Sequence, residues 1–136
     1  MFNLDCKIIL DSNITNISRG IAKAFENRKK VIIPNFVKKI EEGAFADLNL
    51  KEVVLNEGIE RIGSNAFKNS RLEVVTIPNS VKKIGTNAFL AGVWHYYYNG
   101  QIFYPSLKEV YYKGNKNNTP WNWKDIGIDI NIVKEI

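Results

Sequence analysis

The chain has 136 residues, enough for one domain with a modest core, and carries 19 Lys+Arg against 14 Asp+Glu for a net charge of +5. Hydrophobic residues make up 45% and charged residues 24%, which is a globular composition and excludes a disordered chain. One Cys and one His exclude a disulfide framework, a Cys-based zinc site and a His-rich metal centre. No run approaches the ~18 apolar residues of a membrane span. Met1 to Ser12 shows no basic region followed by a long apolar stretch, so no secretory signal and a cytoplasmic location are expected.

In chain order, the first organised feature is a 22-residue repeat. Ala44-Phe45 recurs as Ala66-Phe67 and Ala88-Phe89. Ile40, Ile62 and Ile84 keep the same step, as do Val31, Val53 and Val75, and Ile33, Leu55 and Ile77. Each unit begins with a β-branched, period-2 stretch that predicts a short strand. A turn follows at Pro34-Asn35, Asn56-Glu57-Gly58 or Pro78-Asn79. A second extended piece then carries Val37 and Ile40, Ile59 and Ile62, or Val81 and Ile84. The Ala-Phe segment is too short for a long helix and is expected to form one helical turn. Gly43, Asn65 and Asn87 share a column, and Gly and Asn enter the left-handed region at least cost, so that conformation is expected there, with Phe tucked inside. One such unit cannot bury its own apolar side, whereas stacked units can, which predicts a β-rich solenoid. Five coils at a strand spacing of about 4.8 Å give a rod roughly 20–25 Å long.

Residues 28–92 hold three regular copies and residues 1–27 a degenerate one, in which Ile8, Leu10, Ile14 and Ile17 fit the pattern and Ser18 to Phe25 runs longer than its counterpart. Cys6 is expected as a small buried residue of this N-terminal cap. After Phe89 the next Leu is due at position 94 but arrives at Leu107, an insertion of 13 residues. The insert segment, residues 93–106, contains Asn99-Gly100, a strong signal for a two-residue type I′ hairpin turn. That turn sets Tyr98 opposite Gln101, Tyr97 opposite Ile102, Tyr96 opposite Phe103 and His95 opposite Tyr104. Alternation then puts Trp94, Tyr96, Tyr98 and Phe103 on one face, and Val93, His95, Tyr97, Ile102 and Tyr104 on the other. Two readings of this insert stand: an aromatic finger that anchors a partner, or a flap that covers a solenoid edge. Residues 107–136 form the last unit, with Trp121 and Trp123 expected to seal the end of the core.

The pattern Leu-x-x-Val-x-Ile-Pro-x-x-Val-x-x-Ile-Gly-x-x-Ala-Phe, fullest at Thr76 to Phe89, resembles the leucine-rich repeat of the BspA-like, or Treponema pallidum, type. The segment from Leu107, with its Tyr-x-Gly and Trp, resembles the closing unit of such arrays. The resemblance implies a right-handed leucine-rich-repeat stack of about five coils whose outward strand residues line a concave face. It further implies a repeat part of a bacterial surface protein that binds host or bacterial partners.

On the strand face the outward columns include Lys30 and Glu52, then Val54, Thr76 and Tyr111, a mixture of charge and apolar surface that suits a protein partner. The same columns also have a purely structural reading, as stacked side chains that support the sheet. Lys39, Arg61 and Lys83 form a basic stripe, which would suit nucleic acid or simply serve as a solvated, aggregation-blocking face. No cofactor and no metal is expected. His95 has no Ser or Cys partner at a recognisable spacing, Asp125 and Asp129 form no carboxylate dyad or calcium loop, and GxGxxG, P-loop and HExxH motifs are absent. The expected function is non-catalytic protein binding. The alternatives are a small intracellular inhibitor, phage- or mobile-element-encoded, that occludes a nucleic-acid-handling enzyme, and weak direct binding of nucleic acid.

Overall fold

The computed structural model describes residues 11–136. Cys6, Ile8 and Leu10 lie outside the described residues. The first described coil holds strand β1 (Asn16–Ile17), then a single helical turn α1 (Arg19–Ala22), capped by Ser18, whose side chain accepts from the backbone N–H of Ile21. The helical turn takes up the extra length of this unit relative to the next. The regular coils follow with β2 (Lys30–Ile33), β3 (Lys39–Ile40), β4 (Glu52–Leu55), β5 (Arg61–Ile62), β6 (Val74–Ile77) and β7 (Lys83–Ile84). The insert forms β8 (Gly92–Tyr97) and β9 (Gly100–Pro105), and the last coil holds β10 (Glu109–Tyr112) and β11 (Val133–Glu135).

Two parallel sheets run the length of the stack, in the order β1-β3-β5-β7 and β11-β10-β6-β4-β2. The register is the 22-residue repeat itself: Val31 pairs with Val53 and Val53 with Val75, while Ile40 pairs with Ile62 and Ile62 with Ile84. Alternation in each long strand turns Val31 and Ile33, Val53 and Leu55, and Val75 and Ile77 inward, where all are buried.

The Ala-Phe segments form a third ladder, but not the helical turn that their length suggested. They are successive i→i+3 turns, with Ala44 N–H donating to Glu41 O at 3.1 Å and Ala46 N–H to Gly43 O at 3.1 Å. The remaining N–H groups reach the next coil instead: Phe45 N donates to Ala66 O at 2.7 Å and Phe67 N to Ala88 O at 2.6 Å. A continuous helical turn would have spent those donors internally. The expected left-handed column is present, with φ of +66° at Gly43, +60° at Asn65 and +58° at Asn87. A second one, at Asp47 and Asn69, recurs at the same 22-residue step.

Phe25, Phe45, Phe67 and Phe89 are buried in a row, the last three stacked at 5.0 and 5.2 Å between ring centres. The last coil continues the hydrogen bonding of this row. Asn87 N donates to Asp125 O and Phe89 N to Ile126 O, both at 2.8 Å, so the closing segment supplies the acceptors that another repeat would have offered. Trp121, Trp123 and Tyr112 pack edge to face at 5.5–5.6 Å over the end of the core.

Candidate protein-binding surface

Among the described residues β8 and β9 pair only with each other, so the insert is a two-stranded finger attached to the solenoid at its base. The attachment is polar and tight. Gly92 N donates to Ser70 O at 2.8 Å, Ser106 N to Ala91 O at 3.2 Å, and the Ser106 hydroxyl to Leu72 O at 2.7 Å. Gly92 sits at φ +154°, and a Cβ there would fall 2.5 Å from Tyr104 O and 2.6 Å from the Phe103 ring. Glycine is therefore required where the finger leaves the coil.

The register corrects the expected one. Tyr97 pairs with Gly100, Tyr96 with Gln101, His95 with Ile102, Trp94 with Phe103 and Val93 with Tyr104. The turn residues are Tyr98 and Asn99, neither at positive φ, so the turn is not type I′. The positive φ, +142°, falls on Gly100. Moving each partner by two residues leaves the faces as expected: Trp94, Tyr96 and Phe103 share one, and His95, Tyr97, Ile102 and Tyr104 the other.

Both faces carry solvent-exposed side chains. Tyr96 is 79% exposed, Ile102 51%, Trp94 38%, and Tyr98 at the tip is fully exposed. The rings organise one another rather than the solenoid. Trp94 lies 5.0 Å from Phe103, and His95 meets Tyr104 edge-on at 4.8 Å. The hydroxyls of Tyr97 and Tyr104 hydrogen-bond at 3.0 Å, a bond that holds the Tyr97 phenol above its usual pKa. His95 thus has aromatic neighbours, with no carboxylate or nucleophile among its described contacts.

A groove that was not expected from the sequence adjoins the finger. Its volume is about 870 Å³, and Phe103 and Pro105 of β9 face Trp121, Ile128 and Ile130 of the closing coil across it. Asn118 and Lys124 are also in its wall. Trp123 Nε1 donates to Lys116 O at 2.8 Å, whereas the buried Trp121 Nε1 has no acceptor. The groove joins β9 to a segment that begins 11 residues beyond it, which no local motif announces.

The strand face is built as expected, but its charges are engaged within the stack. Lys30 lies 3.7 Å from Glu52, while Glu73 receives Lys51 at 2.9 Å and Lys108 at 3.3 Å, one carboxylate linking three coils. Those two lysines hold the Glu73 carboxyl below its usual pKa. Tyr111 donates to Glu109, which raises the phenol's pKa. Ile32, Val54, Thr76 and Tyr111 stand in register, with Ile32 the most exposed of the four.

On the other sheet Lys39, Arg61 and Lys83 are paired in register, and none lies within ion-pair distance of a carboxylate among the described residues. In the adjacent column Lys82 reaches Glu60 at 3.0 Å and lowers the pKa of that carboxyl. Among the described residues, no group of three His, Cys, Asp or Glu could hold a metal ion, and no helix is long and apolar enough to cross a membrane.

The family model for the BspA type leucine rich repeat region matches residues 3–92, in six copies. The chain belongs to the BspA-type leucine-rich-repeat family. No curated protein and no solved structure matches it. Leucine-rich repeats generally mediate protein–protein interaction, and their solenoids are typically non-catalytic. The matched region stops at Gly92, where the finger begins, so the finger beyond Gly92 and all of the groove's lining except Leu90 lie outside it.

Proposed function

We propose that this BspA-type protein is a non-catalytic binding module that captures a protein partner with its aromatic finger, the strand face serving as a secondary, register-setting surface. The observation that carries the reading is the exposure of Trp94, Tyr96, Tyr98 and Ile102 on a finger with no charged side chain between Leu90 and Leu107. Large exposed aromatics cost free energy in water, and Tyr and Trp are the residues that supply binding hot spots. The solenoid contributes rigidity, since a surface fixed by ladders loses little ordering entropy on association. The strand face ranks second because its lysines and glutamates already neutralise one another.

The test is simultaneous replacement of Trp94, Tyr96 and Tyr98 by Ala, followed by capture of partners from lysate of the source cells. Loss of the retained protein with an unchanged circular dichroism spectrum supports the finger as the anchor. Retention of the same protein by the triple variant assigns the finger a structural role. Nucleic-acid binding is the second reading, carried by the basic column Lys39, Arg61 and Lys83. It requires binding at low salt that is lost steeply as salt rises and is removed by changing those three residues to Gln.

A further inference from the structure

We infer that the partner of the finger is the finger of a second copy of this chain, paired antiparallel along the two β9 edges, with each tip seated in the other copy's groove. The inference rests on the reading of the finger as an interaction element and names its occupant.

The first ground is the open edge. Gly92 N–H leaves the β8–β9 ladder to reach Ser70, so Gly92, Trp94 and Tyr96 are in the outward phase of β8, and their partners Gln101, Phe103 and Pro105 in the outward phase of β9. Among the described residues, no strand lies against either edge. The β8 edge meets the solenoid at its base through Ser70, whereas the β9 edge looks over the groove. Edge strands are ordinarily protected by Lys or inward charges, and β9 carries neither. Pro105 blunts only its last position.

The second ground is register. A two-fold axis at Ile102 sets Gln101 opposite Phe103 of the second copy, so both outward-phase residues exchange their N–H and C=O groups. The same register sets the turn residue Asn99 opposite Pro105, whose missing N–H ends the ladder there, and Tyr98 opposite Ser106. The tip therefore arrives at Pro105, a wall of the groove. Tyr98 brings a ring for the apolar wall that Trp121, Ile128 and Ile130 form.

The third ground is stability and charge. A lone two-stranded hairpin is marginal in water, and the pairing makes a four-stranded sheet, past the size that holds independently. Both aromatic faces continue across the axis. Two copies of a chain with net charge +5 repel, and the uncharged segment from Leu90 to Leu107 is where they meet at least cost.

The test is sedimentation of the whole chain over a range of concentrations, with three variants. The native chain should double its mass as concentration rises. Gln101→Pro should remain monomeric at every concentration with the same circular dichroism spectrum, because its N–H is not used within the finger. Tyr96→Pro, at the matching position of the β8 edge, should still dimerise. In a Cys6→Ser background, Ile102→Cys should form an intermolecular disulfide readily, since facing residues of a non-hydrogen-bonded antiparallel pair lie about 4.5 Å apart; His95→Cys should not. A native chain that stays monomeric, or a dimer that survives Gln101→Pro without Ile102→Cys cross-linking, overturns the inference. A monomer whose finger still captures a different protein overturns this inference alone and leaves the proposed function standing.

Discussion

At the scale of single residues, two glycines of the same repeat serve different physics. Gly43 lies at φ +66°, and a Cβ there would meet nothing within 4 Å. Its requirement is conformational. Gly43→Ala should cost about 1–2 kcal/mol, the price of the left-handed region, and Gly43→Asn appreciably less. Asn65 and Asn87 already make that substitution in the next two coils. Gly63 has ordinary φ, but a Cβ would fall 2.5 Å from Glu42 N and 2.8 Å from Glu41 C, both backbone atoms of the preceding coil. Gly63→Ala must push two coils apart, so a cost of about 3 kcal/mol is expected, and Asn should be worse rather than better. Urea unfolding at constant m-value separates the two. Equal losses for Gly43→Ala and Gly63→Ala would remove the distinction.

At the scale of elements, the finger is separable from the scaffold. Its ends are one hydrogen bond apart, Ser106 N to Ala91 O at 3.2 Å, and both its faces are open. Replacing residues 92–105 by two glycines should leave a folded solenoid whose melting temperature falls by only a few degrees, while finger-dependent association disappears; failure to fold would show that the finger holds the scaffold together. The coils themselves were legible from columns of Val, Ile and Phe because each side chain meets its own copy one strand away. The finger was legible in its faces but not its register. Asn99-Gly100 attracts the turn through its tolerance of positive φ, yet Trp94 against Phe103 and the close fit at Gly92 hold the pairing two residues away from that register. The groove was not legible at all, because it is made where β9 and the closing coil happen to face each other. Coil-to-coil ion pairs add a pH dependence. Glu73 titrates below its usual 4.5 because Lys51 and Lys108 hold it ionised. The contribution is therefore present at neutral pH and is lost as pH falls through that lowered value. The melting temperature of Glu73→Gln should lie below that of the native chain at pH 7, converge with it in acid, and converge again at high salt, where exposed pairs are screened.

At the scale of the whole molecule, a solenoid is limited by its ends. Each inner coil finds backbone acceptors and a Phe neighbour on both sides, and the stack would propagate into other chains if its last coil offered the same. Here Asp125 O and Ile126 O satisfy the final donors, and Trp121, Trp123, Ile126 and Ile128 are buried in the closing coil. Truncation after Gly114 should leave Asn87 N and Phe89 N without acceptors and uncover Phe89. Light scattering should then show open-ended association rather than a closed dimer, with a broadened thermal transition. The comparison that makes this decisive is the same truncation in the finger-deleted chain. Association through the uncovered end is head-to-tail and needs no finger, so it should persist there, whereas association through β9 is two-fold and should not. A truncated, fingerless chain that stays monomeric and melts sharply would mean that the repeats close their own end, and that the Trp-bearing coil exists to build the groove.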